Sequence, residues 1–155
     1  MPAMIDLHCD TLTRSRDRTA GRGPLDDPAF HLSLSKVPAG TRWIQCFAIF
    51  VPDQLRGREA IDFFDRHAAS FDEQMAQNRE RVLPCRSFGE MEAALSEGKF
   101  GAVLTVEGGA VLAGQLERVE TIWNAGVRML TLTWNGPNEL ASGHDTPGGL
   151  TDFGR

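Results

Sequence analysis

The sequence predicts an α/β fold in which parallel strands carry helices on their faces. Two near-continuous apolar runs, "RWIQCFAIFV" (42–51) and "FGAVLTV" (100–106), are typical of strands covered on both faces. Between them, from about 55 to 78, apolar residues recur at spacings of three and four, which indicates an amphipathic helix. Buried strands separated by helices favour parallel pairing. This pattern is compatible with both a closed barrel and an open sheet.

The N-terminal quarter of the chain is predicted to contain one strand and a long loop. Residues 4–9, "MIDLHC", read as the first strand. From 13 to about 40 the sequence is polar and contains Gly and Pro, so we expect a loop. Loops of this length in compact domains tend to be functional or disordered.

The C-terminal half adds two helices and a strand to this pattern. Ser87 followed by Glu90 is a capping-box pattern for a short helix, which Gly98 is placed to end. A further helix is predicted over 115–124, and "VRMLTLT" over 127–133 reads as a strand. We therefore expect about four parallel strands with flanking helices.

Composition is that of an ordinary globular protein. A chain of 155 residues is the usual size of one domain, so residues 1–155 are expected to form a single domain. The net charge of −5 leaves no basic surface for nucleic acid. The sequence has neither a signal-peptide pattern nor an apolar stretch long enough for a membrane helix. Three cysteines, an odd number, suit reduced thiols, and a cytoplasmic location is expected.

Three polar side chains interrupt the first strand. In "IDLHCDTL" (5–12), Asp6, His8 and Asp10 alternate and so share one face, while Cys9 points the other way. In parallel α/β proteins, chemistry collects at the carboxyl ends of strands, where His8 and Asp10 are expected. These two side chains suit a shared metal ion, although a salt-bridged surface pair is the alternative. Asp6 either orients the imidazole of His8 or hydrogen-bonds to backbone.

A second carboxylate ends another predicted strand. In "LTVEGG" (104–109), Glu107 is followed by two glycines, which permit a sharp turn or a close approach to a ligand. A carboxylate in this place is suited to bridge two metal ions, and the alternatives are a helix cap or a pair with an Arg. Together with His8 and Asp10 it gives three ligands, which are too few for a closed two-metal site.

The remaining motifs narrow the choice of chemistry. No phosphate-binding loop, GxSxG or HExxH motif is present in the sequence, which leaves metal-activated water as the attacking group. His67 is expected on a half-exposed helix surface, and His31 and His144 lie in predicted loops. Another interpretation places His8 and Asp10 in a non-haem iron triad, but that site usually sits on an antiparallel jelly roll.

Three blocks of the sequence, in this order, resemble one known family. "DLHCDTL", "TVEGG" and "GVRMLTLTWN...GLTDFGR" are similar to the membrane (renal) dipeptidases, the M19 metallopeptidases. The resemblance implies the N-terminal half of a (β/α)8 TIM-type barrel with two zinc ions. It also implies the hydrolysis of dipeptides, including those with a D-residue at the C-terminal position, by a protein that is usually a homodimer.

The resemblance also implies roles for single residues. His8 and Asp10 match the first metal pair of the family, and Glu107 matches the catalytic carboxylate that bridges both zinc ions. Trp134 stands where mammalian members have a His that contacts the substrate, so it is the candidate substrate-binding residue. Members are more than twice as long, and their further ligands lie beyond the position of Arg155.

Two hypotheses follow from this difference in length. In the first, the chain is half of a zinc-dependent dipeptidase whose activity needs the missing ligands. In the second, it is a non-catalytic half-barrel scaffold that binds metal weakly or not at all. Because a half barrel has two open strand edges, we expect self-association of the 155-residue chain.

Overall fold

The computed structural model describes residues 3–15 and 24–155. The strands are β1 (Met4–Asp6), β2 (Trp43–Phe50), β3 (Val82–Pro84), β4 (Phe100–Glu107) and β5 (Val127–Thr131). The helices are α1 (Thr11–Ser15), α2 (Gly57–Gln77), α3 (Phe88–Ser96) and α4 (Glu117–Asn124). Short 3-10 helices occur at Pro24–Asp26, Leu34–Lys36 and Gly109–Leu112. Strands and helices therefore alternate from β2 onward, and the sequence predicts the same order without β3.

The strands form one five-stranded sheet. Its order is β1-β2-β4-β3, and β5 also pairs with β4. β1 runs parallel to β2 with Asp6 opposite Gln45, and β3 runs parallel to β4 with Val82 opposite Phe100. In the described part of the chain, every helix is too short or too polar to cross a bilayer.

The chain divides into two compact units, of which the first comprises Met1–Ala48 and Ala69–Leu104. Its core contains a cluster of small and branched side chains from β2, β4 and the α3 region, namely Ile44, Cys46, Cys85, Ala94 and Val103. Phe47 lies 6.2 Å from both Phe71 and Phe100, measured between ring centroids. Burial of these apolar side chains is the main stabilising contribution in this unit.

The second unit comprises Ile49–Ala68 and Thr105–Arg155. It contains an enclosed cation, Arg118, with a side chain that is only 11% exposed. The guanidinium lies 3.5 Å from Asp65 and packs over the ring of Phe64, and its Nε donates a hydrogen bond to the carbonyl of Val111. These contacts compensate for the cost of placing a charge away from water.

The predicted capping box of α3 is confirmed. The Ser87 hydroxyl accepts a hydrogen bond from the backbone N–H of Glu90 at 3.3 Å, and it donates to the Glu90 carboxylate at 3.0 Å. That carboxylate also accepts from the backbone N–H of Arg86, and these hydrogen bonds lower the pKa of Glu90. Gly98, the predicted stop, has a φ of 68°, which favours glycine at a helix end.

The structure differs from the sequence prediction in one loop and two strands. The expected loop over 13–40 contains the end of α1 and two 3-10 helices, and its residues 16–23 lie outside the described part. β3 was not predicted, because three residues that end in Pro84 are too few to show a period of two. β1 ends at Asp6 rather than at residue 9, although backbone pairing continues beyond it.

His67 is buried rather than half-exposed, which corrects the prediction for this residue. Only 2% of its surface is accessible, and its Nδ1 lies 2.7 Å from the carbonyl of Phe63. The reason is helical spacing, because position 67 falls three residues after Phe64 and four before Phe71 on the buried face of α2. The hydrogen bond to Phe63 satisfies one ring nitrogen in this place.

Candidate metal centre

The segment that follows β1 is held in place by its own backbone. The N–H of Cys9 donates to the carbonyl of Cys46 at 3.0 Å, and the N–H of Ala48 donates to the carbonyl of Cys9 at 2.9 Å. One residue later, the carbonyl of Asp10 accepts from the N–H of Arg14 in α1. Because both the N–H and the carbonyl of Cys9 are hydrogen-bonded to β2, the backbone positions from which the side chains of His8 and Asp10 extend are fixed.

These neighbours, His8 and Asp10, are brought together by the structure. His8 Nε2 lies 3.4 Å from Asp10 Oδ1, and the side chains are 49% and 38% exposed. Asp10 Oδ1 is itself buried, and it accepts no hydrogen bond within the described part of the chain. A buried carboxylate oxygen is costly unless a donor or a cation compensates it. An imidazole nitrogen beside a carboxylate oxygen suits a zinc ion, so the residues present fit the metal that the sequence implies.

Asp6 hydrogen-bonds to backbone, as one of its two predicted roles requires. Its Oδ1 accepts a hydrogen bond from the backbone N–H of His8 at 3.1 Å. This is a local turn of the kind that Asp side chains commonly form. Asp6 therefore helps to fix the backbone at His8.

A cavity of about 800 Å³ opens beside the pair. His8 and Asp10 line it together with Arg14 from α1 and His31 from the loop that precedes β2. The volume is within the range of small-molecule sites, roughly 300–1,000 Å³. His31, which the sequence places in a loop, thus shares a cavity with His8 and Asp10.

Cys9 also lines this cavity, although alternation along the strand was expected to turn it away. Burial raises the pKa of its thiol to about 11. At neutral pH the sulfur is therefore protonated and is a poor nucleophile or metal ligand. A protonated thiol is consistent with the expectation that metal-activated water, and not a side chain, is the attacking group.

Glu107 is the last residue of β4 and is half-buried. Its carbonyl accepts a hydrogen bond from the N–H of Val51 at 2.9 Å. The next residue, Gly108, has a φ of 99°, and its N–H donates to the hydroxyl of Thr131 at 3.0 Å. The backbone on both sides of Glu107 is thereby fixed at the strand end, and a side chain at position 108 would be strained.

Gly109 is required for a different reason, which gives a testable prediction. Its N–H donates to the carbonyl of Leu132 at 3.0 Å, and a Cβ at this position would lie 2.9 Å from that oxygen and would also collide with Leu140. Gly109→Ala should therefore lower the free energy of unfolding by about 1–3 kcal/mol, measured by urea denaturation. Gly89→Ala is the control, because nothing lies within 4 Å of a Cβ there. Equal stabilities for both variants would contradict this explanation.

Trp134 lies on an aromatic neighbour after β5. Its ring centroid is 4.9 Å from that of Phe50, with an interplanar angle of 75°, and 44% of the residue is exposed. The carbonyl of Trp134 accepts a hydrogen bond from the N–H of His144, so both residues belong to one ordered turn. An edge-to-face aromatic pair of this kind leaves an apolar surface open to a ligand.

Gln45 is a site residue that the sequence interpretation missed. It is fully buried on β2 and lines the same cavity as His8 and Asp10. The available signal was a single amide within the apolar run "WIQCFAIF". A polar side chain in a strand covered on both faces needs a partner or a function.

Comparisons with known proteins agree with this fold. A curated relative, an uncharacterised protein in the PQQ-III 3′ region of Acinetobacter calcoaceticus, is 25% identical over an alignment 150 residues long. The match covers 81% of this chain and 48% of the relative. The crystal structure of a dipeptidase AC, a metallopeptidase of family M19, has a TM-score of 0.88 at 24% identity and matches 98% of this chain and 51% of its own. The chain thus spans about half the length of these proteins.

A further solved structure is a metallopeptidase from Rhodobacter sphaeroides liganded with a phosphinate mimic of the dipeptide L-Ala-D-Ala. It has a TM-score of 0.88 at 22% identity over 98% of this chain and 53% of its own. These matches confirm the predicted fold class, the N-terminal half of a TIM-type barrel. The family model of the membrane dipeptidases, peptidase family M19, matches residues 2–155. The chain therefore belongs to the membrane dipeptidase family.

Proposed function

We propose that the protein containing this chain is a metal-dependent dipeptidase in which His8, Asp10 and Glu107 are metal ligands. The observation that carries the proposal is the buried oxygen of Asp10, which faces His8 and accepts no hydrogen bond from the described residues. Glu107, the carboxylate that ends β4, is the third ligand in this proposal. Family membership supports the same ligands.

In this proposal the chain positions ligands and substrate. The backbone pairing of Cys9 with β2 directs His8 and Asp10, and the turn at Gly108 fixes Glu107 at the end of β4. A bound divalent ion would supply an activated water and polarise the peptide carbonyl. No covalent intermediate with a side chain is needed, and the protonated thiol of Cys9 is consistent with that.

The proposed substrate is a dipeptide. A cavity of about 800 Å³ next to His8 and Asp10 is large enough for a molecule of that size. The relative from Rhodobacter sphaeroides, which has the same fold, is liganded with a mimic of L-Ala-D-Ala. The exposed face of Trp134 is proposed to contact the substrate, in the place that the family resemblance assigns to a polar residue.

Four properties that the sequence analysis expects of the protein stay predictions. They are zinc as the metal, two ions in the complete site, a homodimer, and a cytoplasmic location. The donor set of one imidazole and carboxylates supports zinc without excluding other divalent ions.

Metal removal tests the proposed function. The full-length protein that contains this chain should hydrolyse L-Ala-L-Ala or L-Ala-D-Ala, lose about 99% of that activity after dialysis against a chelator, and regain it with Zn²⁺. Metal content by mass spectrometry and amino acid release measure the two quantities. Hydrolysis unaffected by chelation would refute the metal mechanism. A purified protein with neither metal nor hydrolysis would support the non-catalytic scaffold.

A further inference from the structure

Gln45 is a fully buried polar side chain that shares a cavity with His8 and Asp10. It lies on β2 directly opposite Asp6 of β1 and has no accessible surface. An amide in such a place costs free energy unless its hydrogen bonds are made. The hydrogen-bond partners of this amide therefore indicate its role.

The amide nitrogen of Gln45 contacts one carbonyl on β2 and one carbonyl on β1, the strand that precedes His8 and Asp10. Gln45 Nε2 is 3.1 Å from the carbonyl of Cys46 on β2 and 3.4 Å from the carbonyl of Asp6 on β1. The carbonyl of Cys46 also accepts from the N–H of Cys9, the residue between His8 and Asp10. The amide thus lies where regular pairing of β1 ends and the ligand segment begins.

The amide oxygen of Gln45, by contrast, is not stabilised by this arrangement. Gln45 Oε1 is buried and accepts no hydrogen bond within the described part of the chain. An unsatisfied buried acceptor is destabilising, and an apolar side chain of the same size would avoid that cost. Stability alone therefore does not explain an amide at this position, whereas a requirement for its two donors does.

We propose that Gln45 is a positioning residue for the metal site. Its amide holds the carbonyl of Asp6 against β2, and Asp6 in turn accepts from the N–H of His8. These contacts set the direction in which the backbone continues from β1 to His8 and Asp10. Partners behind the metal ligands commonly control affinity in this way. The inference rests on the proposed metal site.

Gln45→Met tests this role in the full-length protein, because Met keeps the size of the side chain and removes both donors. The affinity for Zn²⁺, measured by competition with a chromophoric chelator, should fall at least about tenfold. The visible absorption of the Co²⁺-loaded protein should also change, because it reports ligand geometry. Gln45→Asn, whose shorter amide cannot reach both carbonyls, should give a smaller change in the same direction.

Gln74→Met is the matched control. Gln74 is a 5% exposed amide on α2 in the same unit, and its Oε1 accepts from the N–H of Leu25 at some distance along the chain from the ligands. That variant should lose stability while keeping the metal affinity and the Co²⁺ spectrum of the wild type. Wild-type affinity and spectrum in a folded Gln45→Met or Gln45→Asn variant would overturn the positioning role. Failure of the proposed function is distinguishable, since the wild-type protein itself would then bind no metal.

Discussion

Replacing Glu107 with Gln should lower kcat/KM for dipeptide hydrolysis by roughly three orders of magnitude, which is about 4 kcal/mol of transition-state stabilisation. Gln has the same shape and keeps the backbone hydrogen bonds at the end of β4, where the carbonyl of residue 107 accepts from Val51. The neutral amide, however, lacks the negative charge that makes a carboxylate a ligand for divalent ions. Steady-state kinetics of the full-length protein, together with its metal content, measure the effect.

The matched control is Glu117→Gln, an exposed carboxylate in the first turn of α4 within the same unit. Its removal should leave kcat/KM within about twofold of the wild type, because a charge near a helix end contributes only about 0.3–1 kcal/mol to stability. A Glu107→Gln variant that retains both full metal content and near-normal turnover would contradict the role proposed for this carboxylate.

The parts of the fold that sequence predicted well are those where one physical requirement dominates. β2 and β4 are covered on both faces, so their sequences are apolar throughout and their bounds are nearly those predicted. The start of α3 is fixed by local hydrogen bonds between Ser87 and Glu90, which depend on a spacing of three residues. β3 depends instead on pairing with the distant β4, and three residues carry no local signal for it.

The candidate site likewise contains some residues that the sequence predicts and others that it does not. The sequence predicts His8, Asp10 and Glu107 as candidate ligands, because polar side chains at the ends of apolar strands are costly and therefore informative. The contribution of Gln45 depends on which carbonyls lie within reach of its amide, and the one-letter sequence does not contain that information. His67 differs from its prediction because its polarity indicates a half-exposed side chain, whereas its helical spacing places it on the buried face.

Asp10→Asn should abolish the stabilisation of the protein by metal without destabilising the metal-free form. Binding at a concentration one hundred times Kd stabilises a protein by about 2.7 kcal/mol, and that gain disappears when the ligand is lost. In the metal-free protein, Asp10 Oδ1 is buried without a hydrogen bond from the described residues. Neutralising it removes a cost, so the Tm of the metal-free variant should equal or exceed that of the metal-free wild type.

This pair of measurements separates a metal ligand from an ordinary surface ion pair, the alternative for His8 and Asp10. If their 3.4 Å contact served only stability, Asn would lower the Tm of the metal-free protein and leave the metal-induced increase unchanged. Asp62→Asn is a suitable control, because Asp62 forms an exposed pair with Arg58 at 2.8 Å. Its effect should be no more than about 0.5 kcal/mol, with the metal-induced increase in Tm intact. Opposite signs in the two metal-free variants would show that the carboxylate of Asp10 is retained at a cost to stability, as expected of a group whose partner is a cation.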